Sequence, residues 1–159
     1  MVPTTIPSYY QYWGKARKND DNSHDFHLLP YHCLDVAAVG YTFLTSNAHM
    51  KERLSHILSC KPEQTIQFIA FFLAIHDLGK YSESFQKLVP EVWEQLGGTD
   101  NRKSSVNLRH DSLGYLLWDS GVWQDSISHE FLEIMGGEDA DIWQYLLSPC
   151  ARAVFAPLS

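Results

Sequence analysis

The segment from Pro62 to Ile75 limits what this chain can fold into more than any other stretch. Ile66, Phe68, Ile69, Ala70, Phe71, Phe72, Leu73, Ala74 and Ile75 make it apolar on almost every side. A helix apolar all round belongs in the middle of a domain, with other elements packed about it. Its longest unbroken apolar run, Phe68 to Ile75, has eight residues, whereas a membrane span needs about 20. The segment ends in His76-Asp77-Leu78-Gly79-Lys80. There Gly79 suits a left-handed C-cap and Lys80 suits the negative end of the helix dipole.

Other helices are readable around it. Pro30 stands at a good first helical position. From there His32, Val36, Val39 and Phe43 recur at i, i+4, i+7 and i+11, so His32 is expected to point with the core stripe. A second helix is expected over Ala48–Leu58, with Pro62 opening the third, and a short one over Ser84–Leu96. Gly97 to Ser105 is the clearest loop. His110, Leu113, Gly114 and Leu117 share another helical face. Two more helical stretches follow, about 126–135 and 140–147, split by Gly136-Gly137. Residues 1–29 read as mostly loop, and strand signals are nearly absent. The expected class is all-α: one domain, with an N-terminal loop region 1–29, a helical bundle 30–147 and an atypical tail 148–159.

Composition narrows the function. At 159 residues and 45% hydrophobic, the chain can bury a real core and is not a disordered one. Cys33, Cys60 and Cys150 form no C-x-x-C pair, so a disulfide framework or thiolate zinc site is not expected. With no signal-like N-terminus, a reducing cytoplasm is the expected location. The net charge of -7 excludes nucleic-acid binding by bulk positive charge. Holding a phosphate would need a local device, such as bound cations. The eight histidines are possible ligands for them.

Three histidines lie at or near helix ends, on or beside the buried stripe: His32, His76 and His110. His76 brings Asp77 with it. Imidazoles with one carboxylate suit a divalent transition metal such as iron, manganese, nickel, cobalt or zinc. A bridging carboxylate can hold two cations about 3.5–4 Å apart, which clamp a phosphodiester and activate water. Lys80 could meet a phosphate oxygen as a point charge. Taken singly, each histidine also fits a hydrogen-bonded core residue, and His-Asp fits a helix-end couple. His24, His27, His49, His56 and His129 read as surface or loop residues.

The ordered set resolves this ambiguity. His32, then His76-Asp77-x-Gly79-Lys80, then His110 resembles the HD metal-dependent phosphohydrolase superfamily. With Tyr12-Trp13-Gly14-Lys15 ahead, Tyr31-His32-Cys33-Leu34-Asp35-Val36-Ala37, Phe85-Gln86 behind and Arg109-His110-Asp111, the chain resembles the HD nuclease domain of the CRISPR-associated helicase–nuclease of type I systems. The resemblance covers roughly residues 9 to 120. It implies a cytoplasmic antiviral nuclease of HD-bundle fold that cleaves single-stranded DNA using two divalent metal ions, magnesium also being possible. Its implied partners are that DNA, a helicase portion or partner chain, and an RNA-guided surveillance complex, with no membrane. His32, His76 and Asp77 would hold one metal. Asp77 would bridge to a second, held also by His110. His76, Asp77 and Lys80 would be catalytic, with Lys80 orienting phosphate. Trp13 reads as a core anchor.

The same pattern requires a later adjacent histidine pair and a later aspartate, which these 159 residues lack. The chain is therefore expected to be a domain incomplete at its C-terminus, and weak or inactive alone. Two other readings stay open: a non-catalytic decoy that binds the surveillance complex, and an HD-type nucleotide phosphohydrolase.

Overall fold

The computed structural model describes residues 8–98 and 109–117. A 3-10 turn over Ser8–Gln11 leads into a two-stranded antiparallel sheet, β1 (Trp13–Lys18) and β2 (His24–Leu28). Helices follow: α1 (Leu29–Ser46), α2 (Ala48–Leu58), α3 (Pro62–Ile75), α4 (Glu83–Gln86), α5 (Pro90–Gln95) and α6 (His110–Leu117), with a 3-10 turn over Leu78–Tyr81. The protein is mostly helical, as expected, with one small sheet. The stretches 126–135, 140–147 and 148–159, and most of the loop after Gly97, lie outside the described residues.

The central position of α3 is realised, since no residue from Phe68 to Lys80 is exposed. Its N-terminus is fixed by Pro62 in the first turn and by the Lys61 amide donating to Gln64 Oε1 at 3.2 Å. Helix α1 packs along it, opened by Pro30 as expected. Helix α2 is capped by Asn47, whose side chain accepts from the Met50 amide at 3.0 Å. The core joins Leu29, Cys33 and Leu44 of α1 with Ile66, Phe68 and Phe72 of α3, and Val92 and Trp93 of α5.

Four expectations are corrected. The polar run from Lys15 to Asn22 is a hairpin: Lys15 faces His27 and Arg17 faces Asp25 across the strands. Asn22 supplies the left-handed turn residue at φ 65°, and the Asn19 amide donates to Ser23 O at 2.9 Å. Secondly, Ser84–Leu96 is two short helices, because Pro90 cannot continue the first and opens the second. Thirdly, the α1 stripe is not buried throughout: His32 is 7% exposed, but Val39 is 70% and Phe43 50% exposed. Finally, Gly79 is not left-handed, for among the described glycines only Gly97 has positive φ. Gly79 serves a close approach instead. A Cβ there would stand 2.6 Å from the Gly114 amide nitrogen and 2.7 Å from the His110 carbonyl carbon, so only glycine lets α6 lie against it.

Candidate metal centre

All the candidate side chains converge on one carboxylate. Asp77 follows the end of α3 and is buried. His32, in the first turns of α1, places Nε2 3.0 Å from Asp77 Oδ2. His76 Nε2 lies 3.1 Å and Lys80 Nζ 2.7 Å from the same oxygen. His110, delivered at the start of α6 by the Gly79 contact, places Nε2 3.8 Å from the other oxygen, Oδ1. His32, His76 and Asp77 each offer a ligand atom within 4.8 Å of the others. His110 stands slightly apart and is half-exposed.

This donor set fits a cation. His76 Nδ1 donates to Leu73 O at 2.7 Å, so in the neutral ring the lone pair sits on Nε2 and faces Asp77. Two lone pairs at 3.1 Å repel unless a proton or a metal ion lies between them. The Asp77 hydrogen bond accordingly makes His76 hold its proton more tightly than usual, against the opposing effect of burial. For His32 burial dominates and favours the neutral form, outweighing the attraction of Asp77. Burial also opposes ionisation of Asp77. Hydrogen bonds from His76 and Lys80, and their charges, win over it and hold the carboxyl well below its usual range. Two imidazoles and an ionised carboxylate form a possible site for a divalent transition metal.

Behind this pocket the early and late motifs form one hydrogen-bonded lock. Gln86 is fully buried. Its amide treats Trp13 as a neighbouring strand would: Oε1 accepts from the Trp13 amide at 2.9 Å and Nε2 donates to Trp13 O at 3.0 Å. Nε2 also donates to Lys80 O at 2.7 Å, and Trp13 Nε1 donates to Gln86 O at 3.1 Å. Gly14, next along, lets β1 lie on α1, since a Cβ there would stand 3.1 Å from His32 Cβ. Lys80 Nζ donates to Gly14 O at 3.1 Å as well as meeting Asp77. Trp13 is thus the expected core anchor. Lys80 ties the strand to the carboxylate, a bond that spacing alone could not disclose. His27, expected at the surface, is half-buried. Its ring lies 6.2 Å from that of His32 and its Nε2 3.5 Å from Asp35 Oδ2.

A mostly helical domain whose central helix ends in His-Asp, with imidazoles from two other helices on that same carboxylate, has the layout of an HD phosphohydrolase. The family comparison makes this specific: the Cas3 HD-domain model matches residues 13–154, and the chain belongs to that family. A similar curated protein is the CRISPR-associated endonuclease/helicase Cas3 of Escherichia coli (strain K12), 33% identical over 127 residues. The match takes in 76% of this chain and 14% of that protein, so the chain spans about a seventh of its relative's length. No solved structure matches. Among the described residues no helix is long and apolar enough to cross a membrane.

Proposed function

We propose that this domain hydrolyses phosphodiester bonds of single-stranded DNA, in CRISPR antiviral defence, at a metal centre built on Asp77. The observation that carries the reading is the convergence of His32 and His76 on Asp77 Oδ2 while His110 faces Oδ1. Asp77 thus faces His32 and His76 with one oxygen and His110 with the other, and these four side chains would hold the ions. Divalent ions, when bound, would supply Lewis acidity toward a phosphodiester.

The chain's own residues do the rest. Asp77 stays ionised, His76 is oriented by Leu73 O, and Lys80 holds the carboxylate and offers positive charge beside it. Family membership supports a helicase portion and an RNA-guided complex as partners, and a cytoplasmic setting. No adjacent histidine pair occurs in the 159 residues. We therefore assign this chain alone one firm metal site, a second weak one, and slow turnover.

The test is cleavage of circular single-stranded DNA with manganese, nickel or cobalt added. Slow, metal-dependent cleavage that disappears in His76→Ala and Asp77→Ala is expected. Brisk cleavage surviving both substitutions would place the chemistry elsewhere.

A further inference from the structure

Six aromatic rings run in an unbroken line from the surface to the metal pocket. Ring centroids are 4.6 Å apart for Tyr9–Tyr10, 5.7 Å for Tyr10–Tyr31, 6.5 Å for Tyr31–His27, 6.2 Å for His27–His32 and 5.4 Å for His32–His76. The outer members are open to solvent, Tyr9 and Tyr31 each at 48%, while His32 is buried. His27 lies nearly parallel to Tyr31, at 13°, with its Nε2 3.5 Å from Asp35 Oδ2. Single exposed tyrosines are ordinary. Here the rings follow one another from two exposed tyrosines to a buried histidine that faces Asp77.

Cations flank the line. Lys15 stands opposite His27 on the hairpin and Arg17 opposite Asp25. Both line an open cleft of about 610 Å³ with Trp13, Phe26, His27 and one acid, Asp25, which leaves Lys15 as the cation without an acidic residue opposite it. Rings and cations on adjoining surfaces match the two faces of a nucleotide chain, its bases and its phosphates.

We propose that Tyr9, Tyr31 and His27 form a base-stacking track that receives single-stranded nucleic acid and leads it to the His32–His76–Asp77 pocket, with Lys15 and Arg17 meeting phosphates. This rests on the hydrolytic reading of the pocket and adds how the strand is held. Stacking on base faces accounts for how a chain of net charge -7 retains a polyanion without bulk positive charge. It also selects unpaired strands, because a duplex hides its base faces.

The test separates this track from the chemistry. Fluorescence anisotropy with this chain, in EDTA so that nothing is cleaved, compares labelled oligothymidylate with an abasic strand of the same backbone length. The base-bearing strand should bind about tenfold tighter or more. Tyr9→Leu and Tyr31→Leu should each remove most of that preference, and Tyr9→Phe and Tyr31→Phe should keep it, since phenylalanine stacks as tyrosine does. Three outcomes would overturn the track: no measurable binding of oligothymidylate, equal affinity for the abasic strand, or parent-like preference in both leucine variants. A failure to cleave DNA would count against the hydrolytic reading and leave this result standing.

Discussion

The two ends of helix α1 behave in opposite ways. Its first turns bury a histidine, His32, at 7% exposure, while further along Val39 stands 70% exposed. Both sit on one stripe of the sequence. The difference lies in what meets each end. His32 has Asp77 for a partner and Gly14 of β1 laid against it, so its polar group is buried with its hydrogen bond made. Val39 and Phe43 border an open groove with Ala38, Thr42 and Ser46. Beside the site, polar partners thus add to the apolar packing of Leu29 and Cys33, whereas the Val39–Phe43 face stays open and the far end is held in the core on another side by Leu44.

Substitutions among the partners of the His32 end and on the open Val39 face should differ sharply in effect. Asp77→Asn removes the charge that Lys80, His32, His76 and His110 face. It should cost about 3 kcal/mol in urea unfolding, as expected when one member of a buried charged cluster is removed, and should abolish metal binding in calorimetry. Gln86→Leu leaves the Trp13 backbone groups without partners and should cost about 2 kcal/mol. It should also weaken metal binding, because Lys80 loses its bond to Gln86. A Gln86→Leu variant with parental stability would break the proposed link between strand and pocket.

Cys33 sharpens the contrast chemically. Burial, reinforced by the Asp77 charge, pushes its thiol up to about 11 from 9.0. Below pH 9 the folded and unfolded states both hold the proton, so the group is neutral to stability. From there up to about 11 the unfolded state loses it first, and stability falls. Iodoacetamide labelling followed by peptide mass mapping should find Cys33 nearly inert at pH 7.5, with the rate rising about tenfold per pH unit above it. Rapid labelling at neutral pH would show that the first turns are open. The smallest effect belongs to the open face: Val39→Ser should change stability by no more than about 0.5 kcal/mol. A large loss there would mean that the apolar face is buried.

Much of this was legible in the residues. The apolar run before His76 predicts the central helix, Pro30 and Pro62 stand in the first turns of their helices as expected, and α2 covers Ala48–Leu58 as read. The order His32, His76-Asp77, His110 locates the pocket, since helix ends bring ligands together. The hairpin was hidden because β1, Trp-Gly-Lys-Ala-Arg-Lys, has no apolar alternation beyond Trp13. Its strand character comes from pairing with β2, and its anchor, Gln86, lies 73 residues away in sequence. Gly79 was misread because helix-end glycines usually serve as caps, whereas this one makes room for α6. The closeness of His27 to His32 is not readable in the sequence, because nothing in local spacing ties the two.

The central claim is that His32, His76 and Asp77 hold a divalent metal ion together. Titration with cobalt(II), followed by its visible absorption and by calorimetry, tests this most directly. The account predicts one tightly bound ion per chain, with its spectrum lost in Asp77→Asn and altered in His32→Ala and His76→Ala. An unchanged spectrum and affinity in all three variants, or no binding in the parent, would contradict it.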